Sequence, residues 1–195
     1  NVGEVSLTWR IVCDEDWANA WKSHYHPMTI GNVVIQPSWE RLPPQKGRIQ
    51  VTLDPGMAFG TGTHPSTRMC IEALQKILLT RKRVWDIGTG SGILAIVASK
   101  LGATHIEAVD LDPVAIRVCS FNAQLNQVGL EPKEGSIDQL SGKADVIIAN
   151  IIADVIIDIL PQVSEKLSNE GYFLASGIIK QRASEVKQQG AIHGL

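Results

Sequence analysis

A chain of 195 residues, 44% hydrophobic and 19% charged, has the makeup of a globular protein with room for one sizeable core. Its formal net charge of -2 offers no electrostatic footprint for nucleic acid, and no apolar run reaches membrane-spanning length. The three cysteines, Cys13, Cys70 and Cys119, are odd in number and form no CxxC pair, which argues against a disulfide framework or zinc site and suits a reducing cytoplasm.

Residues 1–50 read as a short α+β prologue. VSLTWRIV patterns as a strand, and EDWANAWKSHY as a short helix with Trp17 and Trp21 four residues apart, a spacing that suits core packing. NVVIQPSWE is a further extended piece ended by Pro37. A helix should open at Pro65, capped by Thr63 or His64, with Met69, Cys70, Ala73, Leu74 and Ile77 as its apolar stripe. From residue 81 onward strands and helices alternate. RVWDIG, THIEAVDL, ADVIIANI and GYFLASGI are Val- and Ile-rich, as strands buried on both faces should be. GILAIVASKLG, PVAIRVCSFNAQLNQ and ADVIIDILPQVSEKL carry helical periodicity, and LEPKEGSI can hold one more short strand. The order predicts an α/β fold: a doubly wound, mainly parallel Rossmann-like sheet with helices on both faces. Its crevice should lie at the carboxyl ends of the strands.

The most informative motif is VWDIGTGSG, which places Asp86, Gly88, Gly90 and Gly92 between a strand and a helix. Glycine there permits a tight turn and close approach of a ligand to the backbone. A dinucleotide loop reads G-x-G-x-x-G, whereas this one reads D-x-G-x-G-x-G. An acid at Asp86 would face a phosphate badly and suits the cationic sulfonium and ammonium of S-adenosylmethionine. Asp110 ends the next strand, where a carboxylate can accept hydrogen bonds from both ribose hydroxyls of a nucleoside. The competing role, capping the helix at Pro113, falls better to Asp112. Thr67 sits in the first turn after Pro65, where free N–H groups favour an anion such as a carboxylate. Spacing alone assigns Thr67 equally to an ordinary surface or capping role.

LDPGMAFGTGTHPST, WDIGTGSGILAI, EAVDLDPVAI and IIANIIADVI, with DEDWANAWKSHYHP and VIQPSW ahead of them, together resemble the bacterial ribosomal protein L11 methyltransferase family over about residues 14 to 179. The resemblance implies a class I S-adenosylmethionine-dependent enzyme that methylates lysine side chains and the N-terminal amine of a large-subunit ribosomal protein. It implies cofactor contacts from Thr67, Gly88, Asp110 and Asn150, to which the loop motif adds Asp86 and Gly90. It also implies that residues 1–50 are the tail of an N-terminal recognition domain and that 51–195 form a catalytic domain short of its last strands.

Asn150 ends the ADVIIAN strand, beside the expected methyl position. Amide and adenine methylases usually carry N-P-P-Y or D-P-P-Y there; this chain has Asn150-Ile151-Ile152-Ala153. Without a stacking ring the site suits a flexible aliphatic amine, and Asn150 can offer its carbonyl oxygen to an amine N–H. Its alternative role is to hold backbone at the strand end. His64 is the nearest candidate base, although a loop histidine is more often a cap or solvent-facing. The expected protein is a cytoplasmic monomer with neither nucleic acid nor membrane as partner. Two other functions stay open: a methyltransferase for another protein or a small molecule, and, less consistent with Asp86, a nicotinamide-dependent dehydrogenase.

Overall fold

The computed structural model describes residues 25–54 and 60–195. A three-stranded sheet comes first: β1 (Met28–Ile30) runs antiparallel to β2 (Val33–Pro37), which pairs in parallel with β3 (Ile49–Leu53). Helix α1 (Pro65–Leu74) leads to the main sheet of β4 (Arg83–Ile87), β5 (His105–Asp110), β6 (Lys133–Glu134), β7 (Ala144–Asn150) and β8 (Leu167–Ser176). These are ordered β6-β5-β4-β7-β8 and every neighbouring pair is parallel. Helices α2 (Ile93–Lys100), α3 (Pro113–Leu125) and α4 (Ala153–Lys166) link the strands, and α5 (Ala183–Ile192) follows β8. The mainly parallel, doubly wound sheet expected from the sequence is present. The chain starts in the middle at β4, builds outward to β6, then returns to the other side, so the order reverses between β4 and β7.

Alternation along the central strands explains why these runs are apolar throughout. Val84, Val146 and Ile148 face α1 and α2, whereas Trp85, Ile87, Ile147 and Ala149 face Ile159 and Val163 of α4. The indole N–H of Trp85 is satisfied by Glu107 at 2.9 Å. Helices α1 and α2 touch both sheets, and Val33, Ile35, Val51 and Leu53 join their core. The division expected near residue 50 falls inside β3.

Three local differences have physical causes. β1, at three residues, is too short to give a strand period on its own, whereas β3 (IQVTL) does alternate; both pair with β2. β8 begins at Leu167 rather than near Gly171, and its register breaks between Ala144 and Val146, with Glu170 at φ 61°. α5 is short on apolar residues but buries Val186 against Ile156 and Leu160 of α4. The strand and the Trp17–Trp21 helix expected before residue 25 lie outside the described residues, apart from Tyr25 at the helix's expected end.

Candidate active site

A cavity of about 560 Å³ opens at the carboxyl ends of all five strands of the main sheet. Gly88 and Gly90 follow β4, Asp110 and Leu111 end β5, Gly135 and Ser136 follow β6, Asn150 and Ile151 end β7, and Gly177 follows β8. This is the crevice that parallel α/β topology leaves at the switch point, and its size is that of a small-molecule site.

Its floor is the turn after β4, held from two sides. The backbone N–H groups of Gly88 and Thr89 donate to Val109 O at 2.9 and 3.0 Å, and Gly90 N–H donates to Asp110 Oδ2 at 2.8 Å. Gly88 has φ 69°, and a Cβ there would overlap Ile151 Cγ2. Gly92, at φ 82°, leaves no room for a Cβ beside Cys119 Sγ, 2.6 Å away.

Asp86 has a different place from the one expected of it. Its side chain is buried and turned under the loop, where Oδ2 accepts from Thr89 Oγ1 at 2.8 Å and from Ala95 N–H at 3.1 Å, and it does not line the cavity. The residue before α2 is Gly92, which has no side chain to cap the helix, and Asp86 takes over that task from the strand. Burial pushes its carboxyl up to about 6; the two hydrogen bonds pull against the rise and the nearby Asp110 charge adds to it. The carboxylate thus supports the loop from beneath.

Asp110 lines the cavity half-buried. Besides Gly90, it accepts from Asp112 N–H at 3.0 Å. Asp112 caps α3 through Val114 N–H at 2.7 Å, which leaves Asp110 outside the helix cap. Thr67 is buried, not a surface residue, and its Oγ1 accepts from Asn150 Nδ2 at 3.2 Å. Two residues 83 positions apart are thus joined: Asn150 lines the crevice, and Thr67 stands behind it without lining the cavity. The bond leaves Asn150 Oδ1 buried without a hydrogen-bond partner among the described residues. An orphaned acceptor at a cavity wall is a place for a ligand donor. His64 caps α1, its Nδ1 accepting from Ser66 N–H at 3.2 Å.

Two supporting residues carry no motif. Asn122, fully buried on α3, donates to Ser91 O at 2.8 Å and accepts from Asp54 N–H at 2.8 Å. Asn126, one turn on, accepts from Thr52 N–H and donates to Thr52 O. Together they tie β3 and the glycine turn to α3. The signal in the sequence was two asparagines four apart on an otherwise apolar helix face, where such poor helix formers need a reason to be.

The sequence model of the ribosomal protein L11 methyltransferase (PrmA) family matches residues 1–193. The chain is 48% identical over 194 residues to a ribosomal protein L11 methyltransferase of Caldanaerobacter subterraneus subsp. tengcongensis, covering 97% of this chain and 62% of that protein. It is 50% identical to that of Caldicellulosiruptor saccharolyticus, over 95% of this chain and 62% of the relative. The chain thus spans 62% of the length of these two relatives. A crystal structure of ribosomal protein L11 methylase from Lactobacillus delbrueckii subsp. bulgaricus superposes with a TM-score of 0.81 at 34% identity, covering 87% of this chain and 89% of that one. The fold alone is shared with a Thermus thermophilus 16S rRNA N2 G1207 methyltransferase solved with AdoMet and guanosine, TM-score 0.55, 21% identity, over 60% of this chain and 36% of that chain. With a match to the family model along nearly its whole length and near-half identity to named relatives, this chain belongs to the ribosomal protein L11 methyltransferase family.

Proposed function

We propose that the chain is the catalytic part of an S-adenosylmethionine-dependent methyltransferase acting on amines, lysine side chains and the N-terminal amine, of ribosomal protein L11. The observation that carries this reading is the crevice lined by Gly88, Gly90, Asp110 and Asn150 from three strand ends, with Thr67 of α1 bonded to Asn150 behind its wall. The residues present fit the cofactor. Asp110 keeps acceptor capacity for ribose hydroxyls, and the glycine turn admits a ligand against the backbone. Most of the wall is apolar, and Oδ1 of Asn150 awaits a donor. When bound, S-adenosylmethionine supplies an electrophilic methyl group that passes to an amine lone pair as the C–S bond breaks and the positive charge moves from sulfur to nitrogen.

The protein's share is alignment and control of protonation. A lysine amine has a pKa of about 10.4 in water, and only its neutral form attacks. An apolar wall disfavours the ammonium and lowers that value. Asn150 lines the cavity, and a small turn of its amide, whose Oδ1 is buried, would let it accept from the amine N–H and so point its lone pair. Thr67 fixes the amide through its hydroxyl. His64, spent on capping α1, is not needed as a base in this scheme.

Among the described residues no helix is long and apolar enough to cross a membrane. The reading places the protein in the cytoplasm, with its ribosomal substrate. Calorimetry with S-adenosylmethionine, S-adenosylhomocysteine and NAD in parallel, followed by methyl incorporation into L11, tests the reading. Binding of the first two without NAD, and label on L11 amines, is the expected result. NAD binding would instead favour a dehydrogenase, and label confined to another acceptor would move the substrate class.

A further inference from the structure

A second cavity of about 320 Å³ lies between the start of α1 and the end of β8. It shares His64, Ser66 and Gly177 with the first, so the two run together along that edge. The junction lies beside the Thr67–Asn150 pair: Asn150 is opposite Ser176 in the β7–β8 register, and Ser176 Oγ donates to Ser66 O at 3.3 Å. Gly177 has φ 82°, and a Cβ there would stand 2.6 Å from Ile151 O, so only glycine fits at the join.

The chemistry of the lining is selective. Met69 and Ile179 flank the mouth, 57% and 63% exposed, and Ser66, Ser176 and Gly177 line the path inward. Among the described residues no carboxylate, lysine or arginine lines this cavity, and His64 is its titratable residue. Of the charged groups on the adjoining elements, Arg68 and Glu72 on α1, Glu170 on β8 and Lys180 beyond it do not line the cavity, and Arg182 is paired with Asp154 of α4 and with Glu185. Asp110 belongs to the first cavity, on the far side of Asn150.

We propose that this second cavity is the acceptor channel, taking an uncharged aliphatic amine between Met69 and Ile179 and delivering it to the Thr67–Asn150 pair. The inference rests on the proposed function and deepens it by naming the route and the residues that select the acceptor. The apolar mouth receives a methylene stem, the lack of a carboxylate among the described lining leaves an ammonium without a counter-charge, and the proton is left to solvent before entry. Met69 and Ile179 are specificity-determining residues that reach no reacting atom.

The test is equilibrium binding of n-hexylamine to the chain saturated with S-adenosylhomocysteine, read from the methyl resonance of ¹³C-labelled Met69 and the δ1-methyl of Ile179 between pH 7.5 and 9.5. Both resonances should shift, with apparent affinity rising about tenfold per pH unit as the neutral amine grows in. Met69→Glu, read at Ile179, should flatten that slope, because its carboxylate now accommodates the ammonium. Met69→Gln should keep the slope, and both variants should bind S-adenosylhomocysteine as the parent does. Absence of shifts at both methyls, or a slope unchanged in Met69→Glu, overturns the channel. Failure of the parent chain to bind S-adenosylhomocysteine instead overturns the function on which it rests.

Discussion

Replacing Asp86 by Asn tests the claim that this carboxylate supports the glycine turn at a cost to stability. Its pKa rises from 3.8 to about 6 on folding, chiefly through burial. Between those values the folded chain holds the proton while the unfolded chain releases it, so stability falls as pH rises through the window. Above pH 6 the full penalty is present, about 3 kcal/mol at 1.36 kcal/mol per unit. The substituted amide would carry no charge and no titration, yet its carbonyl oxygen can still receive Thr89 and Ala95. Urea unfolding of the cofactor-free chain at half-unit steps from pH 4 to pH 7.5 reads this directly. The parent should lose about 2.5 kcal/mol relative to Asp86→Asn across the range, since at pH 4 the unfolded carboxyl has already begun to ionise, the other titrating groups cancelling in the difference. At pH 7 the variant should be the more stable of the two. Parallel stability curves for the two proteins would refute the reasoning, because Asp86 would then be ionised at ordinary cost in the fold.

Three further outcomes follow from the site. Asp110→Ala should weaken S-adenosylhomocysteine roughly tenfold or more in calorimetry, the loss of about 1.5–3 kcal/mol of hydrogen bonding to a charged acceptor; parent-like affinity would confine Asp110 to holding Gly90. Asn150→Ala should lower the methyl-transfer rate by a larger factor than it lowers cofactor affinity, measured by label incorporation at saturating cofactor. Equal losses would make Asn150 a cofactor ligand alone. Asn122→Ala strands the Asp54 N–H and the Ser91 carbonyl and should cost about 2–4 kcal/mol in urea unfolding. A change below about 1 kcal/mol would show that water takes over both partners.

The order and type of the central elements were legible because each signal is local. Double-sided burial makes RVWDI and ADVIIAN apolar throughout, Asp112-Pro113 announces a helix start, and a glycine turn between strand and helix marks a crevice. The family resemblance was legible for the same reason, since its motifs are contiguous runs. What the chain could not disclose residue by residue was which atoms face one another across the fold. Nothing in the motif shows that Asp86 caps α2, a task it takes because Gly92, the residue before α2, has no side chain to do the work. Thr67 is indistinguishable from a surface threonine until β7 brings Asn150 against it. The second cavity exists only because α1 and β8, more than a hundred residues apart in the chain, are packed side by side. Periodicity and turn chemistry act over a few residues and are written into the sequence. Burial of a charge, the orphaning of Asn150 Oδ1 and the joining of two cavities are properties of distant segments in contact, which tertiary packing alone decides.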